Sequence, residues 1–100
     1  MKSIILHSRA KAELDGAMAF YEKKQVGLGI ALNAEVERTL KKIQQSPQLG
    51  APYKSTEYRY SMVRRFSYVV FYLEMESAIW IAAIAHGRRR PDYWKSRRIE

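Results

Sequence analysis

The sequence contains no cysteine, only two histidines and no long hydrophobic run. A chain without cysteine forms neither disulfides nor thiolate metal sites, and two histidines are too few ligands for a zinc site. No apolar stretch approaches the roughly 20 residues that a membrane-spanning helix needs, and the N-terminal region becomes charged too early for a signal peptide. We therefore expect a cytoplasmic protein with no metal, no cofactor and no contact with membranes.

Acidic residues are also scarce, because 10 Asp and Glu stand against 18 Lys and Arg, which gives a net charge of +8. A charge of this sign and size favours a polyanion or an acidic protein as the partner. Hydrophobic residues make up 47% of the 100 residues, which is too many for a disordered chain and enough for one core. We predict a single domain that covers residues 1–100 and binds a negatively charged partner.

The first half of the chain predicts a strand and a helical hairpin. "SIIL" at Ser3–Leu6 is short, apolar and β-branched, which is typical of a strand, and Ser8 follows as the N-cap of a helix. Apolar residues three and four positions apart form the stripe of a first helix at Ala10, Leu14, Ala17, Met18 and Tyr21. The stripe of a second helix consists of Leu28, Leu32, Val36, Leu40 and Ile43. The short link between these helices makes them antiparallel neighbours.

The second half predicts three strands, at residues 57–65, Tyr68–Glu74 and Ala78–His86. Their short connections make them antiparallel neighbours. The last strand is apolar on both faces, so we expect an interior strand with the helices close against its alanines. Arg64 and Arg65 alternate within the first of the three strands and are expected to point to opposite faces. The fold class is α+β in the order β-α-α-β-β-β, a helical hairpin packed on a mostly antiparallel four-stranded sheet.

The densest cationic cluster, residues 88–90, comes directly after the last predicted strand in "IAHGRRRPDYWKSRR". A charge run near a chain end is often only a solvated tail. Pro91, Tyr93 and Trp94 are costly to leave in water, however, so we expect them to anchor this segment on the sheet. The anchor would fix the arginines near His86, which fits a structural role at the strand end as well as a functional one.

Four stretches, taken in order, resemble the toxins of the RelE/ParE superfamily of bacterial toxin-antitoxin systems. They are "SRAKAELDGAMAFYE", "IQQSP", "YVVFY" and "IAAIAHGRRRPDYW", and together they cover nearly the whole chain. The resemblance implies a toxin that is neutralised by a separately encoded, acidic antitoxin whose flexible segment wraps the helices and the sheet. It also implies that operator DNA is bound only through the antitoxin. Leu14, Met18 and Tyr21 are the candidate antitoxin-binding residues, although helical spacing of this kind is more typical of a core than of an interaction site.

The superfamily divides by target into an enzyme class and an inhibitor class. RelE-like members are ribosome-dependent ribonucleases that cut mRNA, whereas ParE-like members resemble them in fold and inhibit DNA gyrase. Metal-independent RNA cleavage needs groups that move protons and cations that stabilise the phosphorane. If this chain is a ribonuclease, the candidate catalytic residues are Arg65, His86, Arg89 and Tyr93.

One position favours the inhibitor class. RelE-type ribonucleases often carry a pattern like G-Y-R-x-x-Y, but here "SYVVFY" places Val69 where the arginine is expected. Valine donates nothing to a phosphate, so we predict a ParE-like gyrase inhibitor, with the RelE-like mRNA endoribonuclease as the alternative. The candidate target-binding residues are Arg64, Arg65, His86, Arg88, Arg89, Arg90, Tyr93 and Trp94.

A third hypothesis is a nucleic-acid-binding module. In that case Tyr93 and Trp94 stack on bases and the neighbouring arginines contact phosphates. This hypothesis explains the positive charge but leaves the resemblance to the toxins unexplained. DNA affinity of the isolated chain would favour it over the toxin hypotheses.

Overall fold

The computed structural model describes residues 1–99. In chain order its elements are β1 (Ser3–Leu6), α1 (Ser8–Lys24), α2 (Leu28–Gln45), a 3-10 turn (Pro47–Leu49), β2 (Ala51–Pro52), β3 (Arg59–Met62), β4 (Tyr68–Glu74) and β5 (Ala78–His86). The five strands form one sheet in the order β1-β5-β4-β3-β2. β1 runs parallel to β5, and the other neighbours are antiparallel. The predicted α+β class is confirmed, with β2 as an additional strand too short to have a sequence pattern.

The predicted helical hairpin is confirmed and begins with a different cap. His7, not Ser8, is the N-cap of α1, because its Nδ1 accepts a hydrogen bond of 3.0 Å from the backbone N–H of Arg9. Gly27 precedes α2 with a φ of 90°, a left-handed conformation that favours glycine. Gly29 lets the helices approach closely, since a Cβ there would lie 2.5 Å from the carbonyl oxygen of Met18. The two helices therefore pack backbone to backbone at the start of α2.

The sheet has a hydrophobic cluster on each face. On the helix-covered face, Ile79, Ile81 and Ile84 of β5 pack with buried residues of the hairpin. Ala82, Ala83 and Ala85 of β5 lie on the other face with Trp80, so the expectation that the helices pack against these alanines is wrong. For Ala83 and Ala85 the physical reason is an irregularity in the pairing of β4 with β5, where the register shifts between Phe71 and Tyr72. The shift moves later residues of β5 to the opposite face from the one that simple alternation gives.

The first predicted strand of the second half is shorter than residues 57–65. β3 ends at Met62, and the chain turns back so that the backbone N–H of Val63 donates to the carbonyl of Tyr68 at 3.0 Å. Arg65 has a φ of 71° in this turn. Arg64 and Arg65 are therefore turn residues, and the prediction that they alternate across a strand is wrong, because left-handed backbone at Arg65 is incompatible with a strand.

No helix within residues 1–99 is long and apolar enough to cross a membrane.

Candidate functional site

The three arginines follow a tight turn at the end of β5. The backbone N–H of Arg89 donates to the carbonyl of His86 at 3.0 Å, and the backbone N–H of Arg88 donates to Nδ1 of His86 at 3.1 Å. Gly87 donates to the carbonyl of Ser67 at 2.7 Å, which ties the turn to the β3–β4 connection. The strand end therefore fixes the backbone from which the arginine side chains extend.

The C-terminal segment, residues 87–99, is anchored by Trp94. The indole is 1% exposed and stacks on Phe71, with ring centroids 4.5 Å apart. Tyr58 and Tyr53 contact it at centroid distances of 4.9 Å and 5.5 Å. The predicted anchoring by Trp94 is confirmed, whereas Pro91 is exposed and contributes little to it. Because the indole is enclosed, it leaves almost no surface for a target or a nucleic-acid base.

Hydrogen bonds to Asp92 attach this segment at a second point, the β2–β3 loop. The hydroxyl of Tyr53 donates to one carboxylate oxygen of Asp92, and Nζ of Lys54 lies 3.0 Å from the other. These hydrogen bonds hold the pKa of Asp92 below its usual value, and the bond to Asp92 raises the pKa of Tyr53. The contacts keep residues 91–94 close to the sheet.

A third fastening, at Glu13 of α1, was not predicted from the sequence. Its carboxylate accepts from the hydroxyl of Tyr93 at 2.5 Å and from both Nη atoms of Arg97 at 3.1 Å and 2.9 Å. The same carboxylate accepts from the backbone N–H of Ile84 at 3.0 Å, and Arg97 donates to the carbonyl of Ala82 at 2.9 Å. These two backbone groups belong to the part of β5 beyond its pairing with β1, so Glu13 and Arg97 satisfy a strand edge that would otherwise be bare.

The sequence carries one signal for this network. Glu13 lies three residues after Ala10 and four residues before Ala17, both buried, and therefore on the apolar stripe of α1. A carboxylate on a buried stripe needs a charged or hydrogen-bonding partner. Nothing in the sequence identifies Arg97, which is 84 residues away, as that partner.

The anchored segment forms one wall of a cleft of about 190 Å³, which we call the arginine cleft. Its lining residues are Tyr53, Val69, Phe71, Ala85, His86, Gly87, Arg89, Arg90, Pro91, Asp92, Tyr93 and Trp94. The guanidinium carbon of Arg89 lies 4.0 Å from the centroid of the Tyr93 ring, a cation–π contact. Val69 thus lies in the cleft itself, at the point where the ribonuclease pattern has an arginine.

Arg64 and Arg65 are not among the residues that line the arginine cleft. Arg64 borders a separate groove of about 490 Å³ between α2 and β3, together with Lys42 and Met62. The guanidinium carbon of Arg65 lies 5.6 Å from the ring centroid of Phe66 in the β3–β4 turn. The structure therefore brings His86, Arg89, Arg90 and Tyr93 together in one cleft, whose lining does not include Arg64 or Arg65.

Proton transfer in the cleft is limited by bonds that its candidate groups already make. The hydroxyl of Tyr93 is committed to Glu13, and burial together with that bond raises the pKa of Tyr93 far above its usual value. Nδ1 of His86 accepts from Arg88. The cleft therefore offers Arg89 and Arg90 to anionic groups, while Nδ1 of His86 and the hydroxyl of Tyr93 are already hydrogen-bonded. Within residues 1–99, no three His, Asp or Glu side chains lie close enough to hold a metal ion.

The candidate antitoxin-binding residues of α1 face inward. Leu14, Met18 and Tyr21 are partly buried and pack against the cluster beneath the hairpin. The ring of Tyr21 contacts Phe66 at a centroid distance of 5.2 Å. Only the exposed fraction of each side chain is open to a partner. Larger apolar surfaces on the same hairpin belong to Phe20, Val26 and Ile30, which are 54%, 90% and 71% exposed.

Comparisons with known proteins agree with this architecture. The family model described as "ParE toxin of type II toxin-antitoxin system, parDE" matches residues 4–91. A solved structure described as "Chromosomal ParDE TA system from P. aeruginosa" is similar in fold, with a TM-score of 0.70 and 24% sequence identity. The match covers 86% of this chain and 96% of that chain. No curated protein matches this sequence.

Proposed function

Because this chain belongs to the ParE toxin family of type II toxin-antitoxin systems, we propose that it inhibits DNA gyrase and is neutralised by a cognate acidic antitoxin. In this proposal the arginine cleft and the adjacent Arg88 form the surface that binds the target. The chain binds operator DNA only together with its antitoxin.

The observation that carries the proposal is the chemistry of the arginine cleft. Its cations, Arg89 and Arg90, extend from a segment held by Trp94, and its floor contains Val69 in place of a cation. Fixed guanidinium groups lose less side-chain freedom on binding carboxylates or phosphates than mobile ones do. A site of this kind supports tight binding of an anionic surface without requiring catalysis.

The antitoxin proposal rests on charge and on exposed apolar surface. The net charge of +8 is complementary to an acidic protein. The exposed apolar side chains of the hairpin, at Phe20, Val26 and Ile30, offer contacts that would bury hydrophobic area. Leu14, Met18 and Tyr21 remain the predicted contacts, through the parts of their side chains that the core leaves open.

Growth of bacteria that express this chain tests the toxin proposal. We expect expression of the chain alone to inhibit growth, and co-expression of the acidic protein encoded beside it to restore growth. A variant with Arg88, Arg89 and Arg90 replaced by alanine is the matched control. It should fold like the parent, because exposed charges contribute little to folding stability, and it should no longer inhibit growth. Normal growth at verified expression of folded parent chain would refute the proposal.

The RelE-like ribonuclease is a second candidate function, favoured by one observation. The cleft brings His86, Arg89 and Tyr93 together, and these are three of the four candidate catalytic residues. Ribosome-dependent cuts in mRNA, with no DNA damage response, would establish this function instead. The nucleic-acid-binding module is less well supported, because the enclosed indole of Trp94 has no free face for a base.

A further inference from the structure

Glu13 is a largely buried carboxylate that connects α1, β5 and the C-terminal segment. Its side chain is 15% exposed, and it accepts hydrogen bonds from Tyr93, Arg97 and the backbone of Ile84. Arg97, its ionic partner, is 8% exposed at the side chain. Burial lowers the pKa of Arg97, but its hydrogen bonds to Glu13 and its interactions with Tyr93 more than offset this effect and leave the pKa above its usual value.

Tyr93 connects this network to the arginine cleft. Its hydroxyl donates a hydrogen bond to Glu13, and the guanidinium carbon of Arg89 lies 4.0 Å from the centroid of its ring. The guanidinium carbon of Arg97 lies 5.2 Å from the centroid of the same ring. The orientation of the Tyr93 ring therefore depends on groups outside the cleft, and the position of Arg89 depends on that ring.

We propose that Glu13 is a positioning residue for target binding, which holds Arg89 in place through Tyr93 without touching the target itself. The consequence for toxicity rests on the function proposed above. The effect on Arg89 does not, because it belongs to the free protein. The family match covers residues 4–91 and therefore ends before Tyr93 and Arg97, the two side chains through which Glu13 would act.

The physical basis is that both carboxylate oxygens of Glu13 already accept two hydrogen bonds each. Glutamine in place of Glu13 keeps one oxygen that can accept from Ile84 and loses the negative charge that Arg97 requires. The hydroxyl of Tyr93 and the guanidinium group of Arg97 then compete for the second lone pair of that same oxygen. We expect the Tyr93 ring to become mobile, and Arg89 to lose the surface on which it stacks.

The test compares Glu13→Gln with a matched control, Asp15→Asn. Asp15 lies on the same helix, is 60% exposed at its side chain and pairs only with Lys11 among the ion pairs of the described residues. In NMR spectra of the free protein, the parent should show the Arg89 side chain shifted by the ring current of Tyr93. We expect Glu13→Gln to remove at least half of this shift, and Asp15→Asn to leave it unchanged.

Growth inhibition provides the second readout. Hydrogen bonds to charged groups have the magnitude that changes binding by about tenfold, so Glu13→Gln should need about tenfold more expressed protein to inhibit growth. Tyr93→Phe keeps the ring and removes the hydroxyl, so it should reproduce both effects. The double variant should need no more expressed protein to inhibit growth than either single variant, because both substitutions remove the same hydrogen bond between Tyr93 and Glu13.

A folded Glu13→Gln protein with an unchanged Arg89 shift would overturn the proposal. If Glu13→Gln does not fold, Tyr93→Phe provides the test instead. An unchanged chemical shift of the Arg89 side chain in that variant would also overturn the proposal. If the parent chain leaves growth unaffected, the proposed function is refuted. This inference is not, since the chemical shift of the Arg89 side chain is measured without any target.

Discussion

Replacing Trp94 with alanine removes the main anchor of the C-terminal segment. The indole is enclosed by Phe71, Tyr58 and Tyr53 and belongs to the cluster on the helix-free face of the sheet. Large-to-small changes of a buried tryptophan cost about 3–5 kcal/mol. The free energy of unfolding of a whole domain is only about 5–15 kcal/mol. One side chain therefore accounts for a large fraction of the stability.

The position of the cluster decides how this cost appears in a melting experiment. A terminal segment can detach by itself, which would limit the loss to the energy that holds the segment. Here detachment would uncover Trp80, Ala83 and Ala85 of the central strand β5. We therefore expect the sheet to be destabilised along with the segment. At about 4–8 °C per kcal/mol for a domain of this size, the melting temperature should fall by at least about 12 °C.

Thermal unfolding followed by circular dichroism measures the effect. Trp94→Phe is the control, because it keeps an aromatic ring in the site, and its melting temperature should fall by much less. Limited trypsin digestion should cut Trp94→Ala after Lys95 and Arg97 well before it cuts the parent. A fall of less than about 3 °C, which corresponds to under 1 kcal/mol, would refute the reasoning that Trp94 anchors this segment.

Three further predictions concern the fold and its titration. In urea unfolding, Gly29→Ala should destabilise the protein by about 1–3 kcal/mol, since its Cβ would lie 2.5 Å from the Met18 carbonyl oxygen. Gly16→Ala, whose Cβ has nothing within 4 Å, should stabilise the protein by about 0.5–1 kcal/mol. Equal effects of the two substitutions would contradict the close contact between the helices. Arg97→Ala should cost about 1.5–3 kcal/mol, because Glu13 loses its charged partner and keeps only Tyr93 and Ile84 as donors. The exposed Arg98→Ala should change stability by less than about 0.5 kcal/mol, and a similar response of both variants would count against the ion pair. The pKa of five of the seven tyrosines is raised above 10.0, so their contribution to stability is complete below pH 10 and is lost as the pH rises beyond it. Ultraviolet titration should show these five phenols ionising above pH 10, and their ionisation at pH 10 would contradict this prediction.

The longer regular elements were predictable because each carries a recognisable pattern. The apolar stripes of the two helices and the runs of β-branched, aromatic and apolar residues at Tyr68–Glu74 and Ala78–His86 determined the fold class and most boundaries. Single-residue conformations were less predictable. The left-handed backbone at Arg65 and the capping by His7 depend on local geometry that residue type alone does not determine.

Long-range contacts were the part that the sequence could not predict. The bond between Glu13 and Arg97 joins residues 84 apart, and no periodicity relates them. The register shift in β5 likewise depends on its pairing with β4, and it placed Ala83 and Ala85 on the face away from the helices. The arginine cleft combines both kinds of feature, because the run at residues 88–90 was visible in the sequence and its support by Glu13 was not.

Inhibition of DNA supercoiling by purified gyrase tests the proposed function most directly. We predict that the chain, purified free of antitoxin, blocks supercoiling in proportion to its concentration. The variant with Arg88, Arg89 and Arg90 replaced by alanine should melt within a few degrees of the parent and inhibit at least about tenfold less well. Unimpaired supercoiling in the presence of excess folded parent chain, together with ribosome-dependent cuts in mRNA, would contradict a gyrase inhibitor and identify a ribonuclease.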